Sequence, residues 1–360
     1  MTLIACIHPS ENRALLGDIL LSSTDGDPAF IAPSRAYLSP QSLREMKSRP
    51  QGFIRKVIEV TPTIAMLWSG NYGPAAELAR RARDWFTIGR EKQQDVIEFL
   101  EEYYRNPIPN FSAIIASGRS PWWIYYIGPV VEDQNPFFGP YAVAGTGTQL
   151  FRGLTNQILK NQDSPPLPDT DSLRVTSELM AREVFTSEPL HSQFGAGYEI
   201  LYAGLNGFER VDDVMHMFCH VQTTETGFSL FPYSYVLRQW YEADRFYVGS
   251  LATPESQTAG LGPRVFVAPD ILGQTDEPLL LNHLPLTPRY FCMHHLFIID
   301  DEKIPSVLTM KGDGISTMIT ISRSSDQLSF EFSPEYLNLL RERAAGFRQA
   351  IKLGKHTPAY

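Results

Sequence analysis

The order of strand-like and helix-like blocks constrains this chain more than any single motif. Short apolar runs at 3–7 (Leu-Ile-Ala-Cys-Ile) and 13–18 (Arg-Ala-Leu-Leu-Gly-Asp) read as paired strands, followed by Phe53–Val60 and Thr63–Trp68. Two helical stretches come next, Ala75–Phe86 and 91–105, the second carrying Val96, Ile97, Leu100, Tyr103 and Tyr104 on one stripe. Strand patterns return at Phe111–Ser117, Trp122–Val131 and Tyr141–Ala144. Helices then cover 149–160 and 173–186, and Tyr198–Leu205 closes the series. Each sheet must cover an apolar face and each helix an apolar stripe. This order therefore predicts a layered sandwich with two sheets inside and helices outside.

Punctuation supports the same division. Residues 23–52 are rich in Ser, Pro, Asp and Gly and read as a long excursion, with a short helix predicted over Ser39–Lys47. Beyond about 206 the pattern weakens: Val211–Thr223, Phe228–Val248, Phe291–Ile299, Ser316–Arg323 and Leu328–Phe332 read as strands, and 250–290 as loop. Ser333-Pro334-Glu335 is an N-cap, first-position proline and first-turn acid, predicting a helix that ends near Leu353-Gly354. The domains predicted are thus 1–220 and an extension over 221–360 to which the sequence assigns no role.

Composition excludes several classes. A net charge of -9, from 40 acidic against 31 basic side chains, argues against nucleic acid as the partner. No apolar run reaches the roughly 18–20 residues of a membrane helix, and the first residues lack a basic, signal-like region. Cys6, Cys219 and Cys292 form neither a disulfide framework nor a zinc spacing, which points to a reducing, cytoplasmic setting. His216, Cys219, His220, His294 and His295 lie in apolar runs and read as core or edge residues before they read as metal ligands. No metal or other cofactor is expected, since P-loop and dinucleotide fingerprints are also absent.

The chemistry-bearing residues converge on the N-terminus. Thr2 would lead the chain once Met1 is removed, and an aminopeptidase cleaves readily before a residue as small as threonine. Asp18 follows sixteen residues later, after Gly17; Lys56 opens a strand; Gly70 ends the next one in Met66-Leu67-Trp68-Ser69-Gly70. Taken singly, these are an ordinary second residue, a turn, a strand-end lysine and a turn glycine. A threonine hydroxyl needs an adjacent base, and a free α-amine, with a pKa of roughly 7.7–8, can be that base on the same residue. A lysine held by an aspartate can tune the proton transfer, and a turn N–H can stabilise the oxyanion.

In order and spacing, Thr2, Gly17-Asp18, Lys56, Gly70 and the turn Gly145-Thr146-Gly147 resemble the proteasome β-subunit family, most closely its bacterial HslV-type member, over about residues 2–205. The resemblance implies an α+β fold, a four-layer αββα sandwich, and a threonine-type peptidase or amidohydrolase acting through an acyl-enzyme on Thr2. Thr2 would be nucleophile and base, Asp18 and Lys56 its charge partners, Gly70 the oxyanion donor, and Thr146 the hydroxyl near the α-amine. Ser22, Trp68 and Tyr72 would line the substrate pocket, with Trp68 filling much of it. The family's late acid before a Gly-Gly has no counterpart in His191-Ser192-Gln193-Phe194-Gly195-Ala196-Gly197. A peptide or protein substrate, a homo-oligomer arranged as a ring and an ATPase unfoldase partner are implied by resemblance alone. Two other readings share the fold: a non-catalytic scaffold or binding subunit, and a hydrolase of small amides.

Overall fold

The computed structural model describes all residues except 1, 11–12, 26–31, 35–40, 42–45, 47, 87–89, 107, 136–138, 159–167, 225–226, 243–244, 254–262, 274–284, 325–326 and 355–360. The protein is mixed α/β with several antiparallel sheets. It divides into two compact units. One is Met1–Val211 with Glu242–Phe246 and Val267–Asp276; the other is Asp212–Tyr241 with Tyr247–Phe266 and Glu277–Tyr360.

The first unit opens with β1 (Leu3–Ile7), β2 (Ala14–Asp18), β3 (Leu20–Ser23), β4 (Arg49–Phe53), β5 (Val57–Thr61) and β6 (Ile64–Gly70). Helices α1 (Tyr72–Trp85) and α2 (Gln93–Tyr103) lead to β7 (Phe111–Ser117), β8 (Ile124–Ile127), β9 (Val131–Asn135) and β10 (Gly139–Gly145). Then come α3 (Thr148–Ile158), α4 (Pro168–Thr186), α5 (Glu188–His191), β11 (Tyr198–Ala203) and β12 (Phe208–Arg210). A six-stranded sheet has the order β12-β11-β2-β1-β10-β9, a four-stranded sheet the order β5-β6-β7-β8, and β3 pairs with β4.

Strand β1 is apolar on both faces because it lies between β2 and β10, with Ile4 opposite both Gly17 and Ala144. Its Ile4 and Cys6 join Leu15, Val57, Leu67, Ile114 and Ala142 in one buried cluster fed by both larger sheets. On α1, Ala75, Leu78, Ala79 and Ala82 form a low-profile stripe that lets the helix approach Met66 and Trp68 closely. Helix α1 packs on β5 and β6, α3 on β9 and β10, and α4 on β2 and β11.

Two expected strands divide. Phe53–Val60 splits into the end of β4 and the start of β5, because Arg55 and Lys56 between them turn to buried carboxylates. Trp122–Val131 splits into β8 and β9 at Gly128-Pro129, where Gly128 takes φ +70°. The helix expected over Ser39–Lys47 falls almost wholly outside the described residues.

An eight-stranded sheet, most of whose residues belong to the second unit, is made of β13 (Val214–Thr223), β14 (Phe228–Glu242), β15 (Arg245–Ala252), β16 (Arg264–Ala268), β17 (Tyr290–Ile299), β18 (Glu302–Lys311), β19 (Ile319–Ser324) and β20 (Gln327–Phe332). Its order is β18-β17-β13-β14-β15-β20-β19, with β16 on β15 and β13 parallel to β17. Helix α6 (Asp313–Met318) precedes β19, so Ser316–Met318, expected as strand, are helical. Helix α7 (Pro334–Lys352) starts where the Ser-Pro-Glu signature places it: the Ser333 hydroxyl accepts the Tyr336 N–H at 3.2 Å. Tyr336, Leu340 and Ala344 carry α7 into a cluster with Met215, Met217, Phe291 and Met293.

Candidate active site

Five donors converge on one carboxylate. Asp18 ends β2 and is fully buried. Its Oδ1 accepts the Thr2 hydroxyl at 2.5 Å, the Leu3 N–H at 2.8 Å and Lys56 Nζ at 2.8 Å. Its Oδ2 accepts the N–H groups of Leu20 at 3.1 Å and Gly195 at 3.0 Å. Lys56 Nζ also donates to the Leu20 carbonyl at 2.5 Å. An ion pair this deeply buried is tolerated only when such hydrogen bonds replace lost water. Burial lowers the Lys56 ammonium below its usual range, against the opposing pull of Asp18 and Glu199.

The backbone makes room for these contacts. A Cβ on Gly17 would stand 3.0 Å from Val57 Cγ2 and 3.3 Å from Lys56 Cβ, so glycine lets the lysine strand close on β2. Gly145 takes φ +98°, and a Cβ there would fall 2.0 Å from the Thr2 carbonyl oxygen. That approach seats Thr146 beside Thr2: the Thr2 N–H donates to Thr146 Oγ1 at 3.2 Å, and the Gly147 N–H donates to the Thr2 carbonyl at 3.3 Å. Arg55, one residue before Lys56, points elsewhere and donates to Glu199 Oε1 at 2.6 Å. Lys56, not Arg55, therefore faces Asp18.

A cavity of about 1060 Å³ opens beside the cluster, lined by Thr2, Lys56, Gly70 and Thr146 together with Ser22, Trp68 and Tyr72. Trp68 does not fill it. The indole lies in the core under α1, its Nε1 donating to the Arg55 carbonyl at 3.1 Å. Tyr72 meets it edge-on with ring centroids 6.5 Å apart, and donates its hydroxyl to the Ile271 carbonyl at 3.1 Å. Gly70 takes φ +96° where β6 ends. Apart from Lys56, the lining residues among those described are uncharged; Gln51, Asn71, Asn110 and Gln149 supply amides.

Sequence reasoning overlooked two carboxylates here. Glu199 on β11 receives Arg55 and the Lys56 N–H at 3.3 Å. Glu183 on α4 receives the Ser34 hydroxyl and the Ala196 N–H, the latter at 2.8 Å. Glu183 had a legible signal: it stands at helical spacing from Thr176, Leu179 and Met180, all buried, and is the charged member of that stripe.

The histidines of the second unit form a different arrangement. Gln239 Nε2 donates to His216 Nε2 at 2.8 Å, which leaves His216 Nδ1–H to donate to His294 Nε2 at 3.0 Å. His294 stacks on Phe218, and its Nδ1 is buried with no partner among the described residues. His295 pairs with the Tyr336 hydroxyl and His220 with that of Tyr233. Burial pushes His216 and His295 down to about 3 and holds His294 well below its ordinary value, with His216 and His295 beside it adding to the effect. Among the described residues no group of His, Cys, Asp or Glu is placed to hold a metal ion. Nor is any described helix long and apolar enough to cross a membrane. Cys6, Cys219 and Cys292 are buried thiols outside any disulfide.

No family model matches this sequence, and no curated protein matches it.

Proposed function

We propose that the chain is an N-terminal-threonine hydrolase that cleaves peptide or amide bonds through an acyl-enzyme on Thr2, once Met1 has been removed. The observation that carries this reading is the single oxygen Asp18 Oδ1, which binds the Thr2 hydroxyl and the Lys56 ammonium together, both of them lining a cavity. The fold proposed with it is the proteasome-like four-layer αββα sandwich. Its support is the apolar cluster shared by the two larger sheets of the first unit, and the packing of α1 on one of them and of α3 and α4 on the other.

With Met1 gone, the Thr2 nitrogen is an α-amine beside the Thr146 hydroxyl and can take the proton of its own Oγ1. Oγ1 attacks the scissile carbonyl, the N–H of Gly70 stabilises the oxyanion, and the amine leaves with the proton. Water then hydrolyses the ester. Asp18 and Lys56 fix the hydroxyl and balance the charge, and the buried lysine's weakened hold on its proton suits it to sharing one. The described lining, uncharged apart from Lys56, favours uncharged side chains in the substrate. A ring-shaped homo-oligomer and an ATPase partner belong to the same proposal by resemblance, and a cytoplasmic location by the cysteine pattern.

The test is hydrolysis of fluorogenic peptide amides by the full chain. Thr2→Ser retains activity, Thr2→Ala abolishes it, and an added residue that blocks the Thr2 amine abolishes it as well. Equal turnover by the three variants would reject the mechanism.

A further inference from the structure

Glu183 is buried, is not used by the mechanism above, and lies one turn away from it. The segment Gln193–Gly197 that joins α5 to β11 carries four positive φ angles: 63° at Gln193, 117° at Gly195, 68° at Ala196 and 150° at Gly197. Left-handed backbone at a non-glycine residue costs of order 1 kcal/mol or more and persists only where surroundings over-determine it. Here they do. Two consecutive N–H groups of this turn end on two different carboxylates: Gly195 on Asp18 Oδ2 at 3.0 Å, Ala196 on Glu183 Oε2 at 2.8 Å. Ser48 Oγ adds a third tie, donating to Gln193 Oε1 at 2.9 Å. Glycine is required at 195, since a Cβ there would lie 2.2 Å from Glu183 Oε2.

We infer that Glu183 is a positioning residue for the Thr2 site: it anchors the Gln193–Gly197 turn from α4, and the turn in turn orients the Asp18 carboxylate through Gly195. This rests on the functional reading above only where catalysis is the readout. It gives a physical role to the place where the chain lacks a late acid: the acid comes from the preceding helix and reaches the turn from behind.

The linkage is also sensitive to protonation. Burial raises the Glu183 carboxyl to about 7; the Ser34 hydroxyl and the Ala196 N–H oppose the rise, and the neighbouring Asp18 adds to it. The titratable groups facing it are Asp18 from β2 and Tyr198 from β11, whose phenol burial holds well above its usual range and so neutral. On α4 itself Arg182 is turned to Glu188, at 3.1 Å.

The experiment compares wild type, Glu183→Gln and Glu183→Met in the full chain by two readouts. The first is the rate and pH profile of Thr2 labelling by a β-lactone; the second is hydrogen exchange at the Gly195 and Ala196 amides. Methionine keeps the volume but offers no carboxyl acceptor, so Glu183→Met is expected to slow labelling about tenfold or more at saturating probe, with half-saturation little changed. It also loses exchange protection at both amides. Glutamine keeps an acceptor for Ala196 and restores rate and protection, while removing the component of the pH profile near 7 that wild type shows. Unchanged labelling and protection in Glu183→Met would overturn the inference. So would a Glu183→Gln variant that is as impaired as Glu183→Met. If wild type itself is not labelled, the hydrolase reading fails, and exchange at Gly195 alone still decides whether Glu183 holds the turn.

Discussion

Each of the two units buries ionisable side chains in its sheets, and the Asp18 cluster of the first differs in kind from the histidine cluster of the second. In the first unit, opposite charges meet at hydrogen-bonding distance beside a cavity: Lys56 and Asp18 at 2.8 Å, with a hydroxyl on the same oxygen. In the second, Gln239, His216 and His294 form a one-way chain of neutral donors that ends on an N–H with no partner among the described residues. Burial of a polar group is therefore not by itself the mark of a reactive site. Convergence of a hydroxyl and an ammonium on one carboxylate beside open space is what separates the first cluster from the second.

The largest effect should follow from Asp18→Asn. It leaves Lys56 buried without its counter-charge, a loss of about 3–5 kcal/mol in stability, and removes the anchor of Thr2. Peptide-amide hydrolysis should fall about 100-fold or more, while His216→Leu, in the second unit, lowers the melting temperature without a specific loss of turnover. Equal losses of turnover would dissolve the comparison.

Acid sharpens it next. The second-unit histidines have folded values far below the unfolded 6.5, so the unfolded chain binds more protons and stability falls as pH drops from about 6.5 toward 3. Denaturation midpoints between pH 7 and 4.5 should fall steeply in wild type. They should fall less when His216→Leu, Gln239→Leu and His294→Leu are combined.

Gly145→Ala comes third. Its strained φ and a 2.0 Å approach to the Thr2 carbonyl should cost about 1–3 kcal/mol and slow Thr2 labelling, both read on one purified sample. Glu183 acts in the opposite pH direction from the histidines. Its folded value near 7 exceeds the unfolded value near 4.5, so its contribution is present below about 4.5 and is lost as pH rises through 7. Glu183→Gln should therefore be more stable than wild type at pH 8, by thermal melting. The smallest effect is Ser22→Ala: its hydroxyl has no hydrogen-bond partner among the described residues, and removing it should change KM for uncharged substrates about twofold at most, with kcat unchanged.

Legibility in the sequence followed locality. Strands β1, β7 and β17 and helix α7 could be read from apolar runs and a cap signature, because neighbours along the chain determine them. Strand β18 escaped notice because Pro305 interrupts it. It lies at the sheet edge, where a missing N–H is tolerated. The β3–β4 hairpin was hidden in the Ser- and Pro-rich excursion. Within the candidate site, Thr2, Asp18, Lys56 and Thr146 were legible as spacing, and the structure places them in mutual contact. Glu199 was not, because nothing along the chain points from it to Arg55, and Glu183 showed only as the charged member of a buried helical stripe, with nothing to name the Ser34 and Ala196 groups it receives.

The central claim is that Thr2 is an N-terminal nucleophile. Its most direct test is intact-mass measurement of the full chain from its native host, before and after incubation with a peptide epoxyketone. Such a probe closes a ring only with a hydroxyl and a free α-amine on the same residue. The account predicts a chain lighter by one methionine residue, a single adduct mapping to Thr2, and no adduct in Thr2→Ala. Retained Met1, or a free Thr2 that stays unlabelled, would contradict it.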